Sequence, residues 1–221
     1  MKNKSISNFF ENTDFEYLNV GKEIEEKYVK IWEDVYKPSQ DKKIIENNID
    51  EDTKNKAFNG LSKRGKFLCD LATFFDVKNI AEVGTAEGYQ FYSFSLNENF
   101  KVYTCDVRDV RNKDYKNKFK NSDFTLGNSK EMSKKILEDN NEIDMFWIDG
   151  AHHGSAVLYD VIALAKTASK NAIWVFDDFN ERFGAFNEIN FIKSMGDESY
   201  VLSLGPTASG KPNNMLILRG L

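Results

Sequence analysis

The stretch "NIAEVGTAEGYQFYSFSL", residues 79–96, carries the architecture of the whole chain. An apolar run containing Glu82 passes into a turn marked by Gly84 and Gly88, and an aromatic-rich helix starts directly behind it. A strand that delivers a glycine turn to a helix N-terminus is the opening unit of a doubly wound sheet, in which ligands bind at the carboxyl ends of the strands. Gly84 permits the tight turn, and Gly88 is expected to let the backbone approach a ligand.

Strand and helix signals then alternate. "KVYTCDV" and "DFTLG" read as strands separated by a lysine-rich segment, and "SKEMSKKILED" reads as a helix that Ser129 is expected to cap. "IDMFWIDG" is a strand, "SAVLYDVIALAKTA" a helix, "NAIWVFDD" a strand and "FGAFNEINFIKSM" a helix, before "YVLSLG" and "NMLILRG" close the chain as two strands. The expected fold is therefore α/β, a doubly wound and mostly parallel seven-stranded sheet with a C-terminal antiparallel hairpin.

Upstream of the first strand, Ile24, Tyr28, Ile31, Trp32, Val35 and Tyr36 recur at helical spacing, and Pro38 is expected to stop that helix. The polar stretch from Ser39 to Gly60 reads as a connector or short helices outside the core, and a second amphipathic helix, with Phe67, Leu68 and Leu71, begins near Ser62. This divides the chain into an N-terminal helical extension, residues 1–60, expected to act as a lid, and a main domain, residues 61–221.

The chain has 221 residues, a formal net charge of -5 and a pI near 5.3, so no overall basic field draws it to nucleic acid, although Lys63, Arg64 and Lys66 form a local basic run. The N-terminus has lysines but no apolar segment behind them, and no apolar run is long enough to cross a bilayer. A soluble, cytoplasmic protein with no membrane or nucleic-acid partner is expected; homo-oligomerisation stays open. Cys69 and Cys105 lack metal or redox spacing and read as reduced packing residues.

Near the C-terminus, "GPTASGKPNN", residues 205–214, has the spacing of a nucleotide phosphate loop. Pro212 stands where that loop needs a hydroxyl, and a strand follows where it needs a helix, so the segment reads as the loop of the final hairpin. Lys211 is left as a residue that could border a substrate entrance.

The glycine loop departs from the dinucleotide pattern G-x-G-x-x-G, because Ala86 and Tyr89 occupy the second and third glycine positions. What stands is E-x-G-x-x-x-G, from Glu82 through Gly84 to Gly88, and here the chain resembles class I S-adenosylmethionine-dependent methyltransferases. The resemblance implies a Rossmann-like methyltransferase fold whose loop cradles the methionine part of the cofactor. Asp106, at the end of the second strand, is placed to accept hydrogen bonds from the ribose hydroxyls, and Asn128 and Ser129 follow the third strand where such enzymes meet the adenine. Glu82, Gly84, Thr85, Gly88, Asp106, Asn128, Ser129 and Asp149 make up the expected cofactor site.

Asp149 ends the fourth strand, and Asp177 and Asp178 end the fifth. If these strands are neighbours, three carboxylates converge beside the reacting methyl group, where mutual repulsion calls for a cation; hard oxygen ligands suit Mg²⁺ or Mn²⁺. "DGAHH" adds His152 and His153, either of which could serve as a general base. The run D-G-x-H from Asp149, V-x-x-D from Val157 and D-D-F from Asp177 resembles the metal-dependent O-methyltransferases of the macrolide-sugar (macrocin/mycinamicin) type and the methyltransferase 24 family. That resemblance implies Asp149, Asp177 and Asp178 as metal ligands, His152 as base with Asp149 in the catalytic pair, and a hydroxyl of a small molecule or sugar as acceptor. Phe179, Arg182, Phe183 and residues 1–60 are expected to recognise the acceptor. His153 and Gly154 depart from the relatives' pattern at the acceptor pocket. A metal-independent N- or O-methyltransferase, an NAD-binding oxidoreductase and a non-catalytic binding module stay open as alternatives.

Overall fold

The computed structural model describes residues 4–13 and 23–221. Among these residues, seven strands form one sheet in the order β3-β2-β1-β4-β5-β7-β6: β1 Asn79–Val83, β2 Lys101–Asp106, β3 Ser122–Leu126, β4 Ile143–Ile148, β5 Ala168–Phe176, β6 Glu198–Pro206 and β7 Pro212–Arg219. The first five pair in parallel, and β7 is antiparallel to both β5 and β6. This is the doubly wound arrangement with an antiparallel closing hairpin that the alternation of elements implies.

The central strands are buried on both faces, as a parallel sheet under helices requires. Period-two alternation divides their side chains between two cores. Ile80, Val102, Met145, Trp147, Ile173 and Val175 face one core, and Ala81, Tyr103, Phe146, Ile148, Trp174 and Phe176 face the other. Helices α6 (Ser129–Glu138), α7 (Ala156–Ala165) and α8 (Phe186–Lys193) cover the second core. The first is covered by α4 (Glu51–Phe74) and α5 (Tyr89–Ser95), joined by Ile6 and Phe9 of α1 (Ile6–Asn12) and by residues of the helical run that begins with α2 (Glu26–Ile31).

That run continues through a π turn, Trp32–Tyr36, into α3, Lys37–Glu46, so Pro38 does not stop it. The Lys37 amide reaches back to the Trp32 carbonyl, and Pro38 falls at the start of the next α-helical segment, where its missing N–H costs little. The expected connector is likewise helical: α4 starts at Glu51, where Asp50 caps it by accepting from the Thr53 amide at 2.9 Å, and runs unbroken across residue 60. Its first turns expose Glu51, Asp52, Asn55 and Lys56, which removes the apolar period that would have revealed them. The cap of α6 is Asn128, not Ser129; Glu131 completes a capping box. The β6–β7 hairpin loop is residues 207–211, shorter than the expected 205–214, because Gly205 and Pro206 end β6 and Pro212, Asn213 and Asn214 begin β7; Lys211 is exposed.

Candidate active site

Strand order reverses between β1 and β4, and backbone bonds align the carboxyl ends there. The Asp149 amide donates to the Val83 carbonyl at 2.9 Å, the Asp177 amide to Ile148 at 3.0 Å, and the Gly84 amide to Cys105 at 3.0 Å. Asp106, Gly84, Asp149 and Asp177 thus stand along one rim of the sheet. A cleft of about 890 Å³ opens there, within the range that encloses small-molecule ligands. Glu82, Gly84, Thr85, Asp106, Asn128, Ser129 and Asp149 all line it.

Gly84 has φ +92°, and a Cβ there would lie 2.1 Å from the Asp149 carbonyl oxygen, so glycine lets the ends of β1 and β4 meet. Gly88 has a different role from the one expected. Its left-handed backbone opens α5, and a Cβ would strike the Tyr92 ring at 2.5 Å; it makes room for that ring and does not line the cleft. Glu82 is 1 % exposed and accepts from Thr104 Oγ1 at 2.6 Å, which in turn lies 2.6 Å from Thr85 Oγ1. Burial raises its pKa well above the carboxylate range, against the pull of the Thr104 hydrogen bond. Asp106 accepts from the Ala86 amide at 2.9 Å and the Arg108 amide at 3.1 Å, which fixes its carboxylate at the cleft edge.

Gln90 was not foreseen. Its side chain is 3 % exposed, lines the cleft, and has neither amide atom hydrogen-bonded among the described residues. A buried orphan amide is costly unless a ligand completes it, and a cofactor bearing amino and carboxylate groups fits that demand.

The three later aspartates do converge, but around organic cations. Arg64 of α4 is 4 % exposed; its Nη1 lies 2.9 Å from Asp177 Oδ2 and its Nη2 lies 3.7 Å from Asp149 Oδ2. His152 Nε2 lies 3.4 Å from Asp149 Oδ1 and 3.5 Å from Asp178 Oδ2. Burial and the charge of Asp149 push the Asp177 carboxyl up, and Arg64 opposes them. Burial works against the His152 imidazolium, but the hydrogen bond and charge of Asp149, with Asp178 and Asp177, outweigh it and raise the pKa to about 9. Asp178 is held at φ +52°, a left-handed conformation that holds backbone strain beside the site.

Among the described residues, no group of three or more His, Cys, Asp or Glu side chains is arranged to hold a metal ion. The physical reason is the place of Arg64: a divalent ion among these carboxylates would face a buried guanidinium already paired with two of them. The expected Mg²⁺ or Mn²⁺ set, Asp149, Asp177 and Asp178, does not fit a metal as arranged. The basic run is corrected too, because Lys63 and Arg64 are each 4 % exposed and form no surface patch.

His153 lines the cleft and is exposed, while His152 sits beside Phe183 at 5.6 Å between ring centroids. Phe179, expected at the acceptor, is 7 % exposed and packs on Phe186 in the second core. Arg182 is exposed, and Lys211 is not among the cleft-lining residues. From the N-terminal helices, Tyr36 and Lys43 reach the cleft, and Tyr36 stacks on Tyr89 at 5.0 Å.

Residues 81–179 match the methyltransferase 24 family, described as a methyltransferase domain. The structure is similar to the O-methyltransferase from Bacillus cereus in complex with S-adenosylhomocysteine: TM-score 0.58, 14 % identity, 71 % of this chain and 80 % of that one. It is also similar to the O-methyltransferase TomG from Streptomyces achromogenes, in complex with S-adenosylmethionine and involved in tomaymycin synthesis: TM-score 0.50, 16 % identity, 78 % and 91 % coverage. An rRNA methylase from Streptococcus thermophilus shares the fold at TM-score 0.54 and 10 % identity, over 73 % of this chain and 96 % of that one. No protein of curated function matches the sequence. The resemblance to class I S-adenosylmethionine-dependent methyltransferases stands, and the fold is theirs.

Proposed function

We propose that the protein is an S-adenosylmethionine-dependent O-methyltransferase acting on a hydroxyl of a small molecule or sugar. The observation that carries the reading is the rim itself: Glu82, Gly84, Asp106, Asn128 and Asp149, from the ends of four successive parallel strands, line one cleft.

In this reading Asp106 accepts the ribose hydroxyls, Asn128 and Ser129 border the adenine, and Gln90 and the Glu82–Thr85 loop hold the methionine end. The acceptor hydroxyl enters beside Asp149 and His152. Methyl transfer is an in-line displacement: the acceptor oxygen forms a bond to the methyl carbon as the carbon–sulfur bond breaks and its electron pair stays on sulfur. The enzyme's work is to position the two oxygen and sulfur centres and to remove the hydroxyl proton. Neutral His152 takes that proton, and Asp149 orients the ring and stabilises the imidazolium formed. No step runs through a metal.

Residues 1–60 contribute the lid through Tyr36 and Lys43, which would close over the bound acceptor. Labelled S-adenosylmethionine offered with panels of hydroxylated and amine acceptors tests the reading. Label appearing only on amines would sink the O-methyl assignment.

A further inference from the structure

We infer that Arg64, and not a divalent ion, is the resident cation of the acidic cluster, so that methyl transfer here needs no metal. The inference rests on the methyltransferase reading for the reaction, but its own observations are geometric. Three carboxylates, Asp149, Asp177 and Asp178, meet at the rim, and Arg64 contacts the first two at 3.7 and 2.9 Å. Burying such a cluster demands a counter-charge. Arg64 supplies it from α4, outside the Asp-rich strand ends that announce the site.

The guanidinium is built in. Its carbon lies 5.2 Å from the Trp147 ring, 5.5 Å from Tyr36 and 5.8 Å from Tyr89, so aromatic faces surround the charge where water does not. The backbone beside it has no slack: a Cβ on Gly65 would lie 2.5 Å from Ser93 Oγ, so α4 is seated directly on α5. Arginine is also permanently charged and part of the chain, whereas a metal ion exchanges with solution. Facing the acceptor position, the Arg64 guanidinium and the carboxylates it organises would position the hydroxyl without any group entering from solution.

The test is a titration of wild-type protein with MnCl₂ alone, followed by the electron paramagnetic resonance signal of free Mn²⁺, with S-adenosylhomocysteine titrated into untreated and EDTA-treated protein in parallel. Wild type should show no stoichiometric Mn²⁺ uptake, and Arg64→Met, which frees the carboxylates, should bind Mn²⁺ about tenfold or more tightly than wild type. Adding Asp149→Asn to Arg64→Met should abolish that gain. One tight Mn²⁺ in wild type, lost in Asp177→Asn, would overturn the inference, as would a folded Arg64→Met with no gain. If Arg64→Met does not fold, the wild-type titration decides alone. Failure of S-adenosylhomocysteine to bind untreated and EDTA-treated protein alike would instead count against the methyltransferase reading, whereas binding lost only on EDTA treatment would overturn the inference.

Discussion

His152 Nε2 lies between two carboxylates, 3.4 Å from Asp149 Oδ1 and 3.5 Å from Asp178 Oδ2. With its pKa raised to about 9, the ring is an imidazolium at neutral pH and becomes a base only when it loses that proton. Turnover should therefore rise with pH and level off above about 9. Asp178→Asn removes one of the stabilising charges and should shift the profile towards acid. A pH–rate profile flat between 6 and 9 would remove His152 from the base role.

The same shift has a consequence for stability of opposite sign. A histidine whose folded pKa lies above its unfolded value of about 6.5 stabilises the fold fully below that value, and the contribution is lost as pH rises through the folded pKa. From this group, denaturant midpoints should fall between about pH 6.5 and 9, the window in which activity climbs. His152→Ala should flatten that slope, and an unchanged slope would show that the ion pairs do not hold in solution.

Gln90 separates binding from folding. Its amide is buried with no partner among the described residues, so Gln90→Leu should leave stability unchanged or raise it by about 1 kcal/mol, while weakening S-adenosylhomocysteine about tenfold or more. Urea unfolding and calorimetry read the two effects. If affinity stays and stability falls, the amide has a structural partner instead of a ligand.

Gly84→Ala places a methyl 2.1 Å from the Asp149 carbonyl at φ +92° and should cost more than about 3 kcal/mol. Gly154→Ala meets nothing within 4 Å at φ +55°, and should cost about 1–2 kcal/mol from backbone strain alone. Thermal unfolding of the pair checks that the close approach, and not positive φ by itself, makes Gly84 necessary.

The strands and their order of appearance were legible because each is a short, β-rich apolar run with an acid or glycine at its carboxyl end, as at Val83–Gly84 and Ile148–Asp149. The amino-terminal helices were less so. The first turns of α4 carry their charges on an exposed face, with Asp52 and Lys56 paired one turn apart, which masks helical periodicity as a polar connector. Pro38 misled because it falls at the start of a helical segment that follows a π turn, where the chain stays helical without its N–H. In the site, the acids were visible at strand ends, but Arg64 sits in "SKRGKF", where nothing local separates a buried guanidinium from a solvated one. Its burial follows from α4 crossing the rim, a tertiary fact. Gln90 was missed and Phe179 misplaced for the same reason, since the side on which each falls depends on how the segment around it packs.

The central claim is that the rim binds S-adenosylmethionine, and calorimetric titration of the wild-type protein with S-adenosylhomocysteine tests it most directly. The account predicts one-to-one binding that Asp106→Ala weakens about tenfold or more, with the fold intact by circular dichroism. Absence of binding by the wild type, or binding indifferent to Asp106, would contradict it.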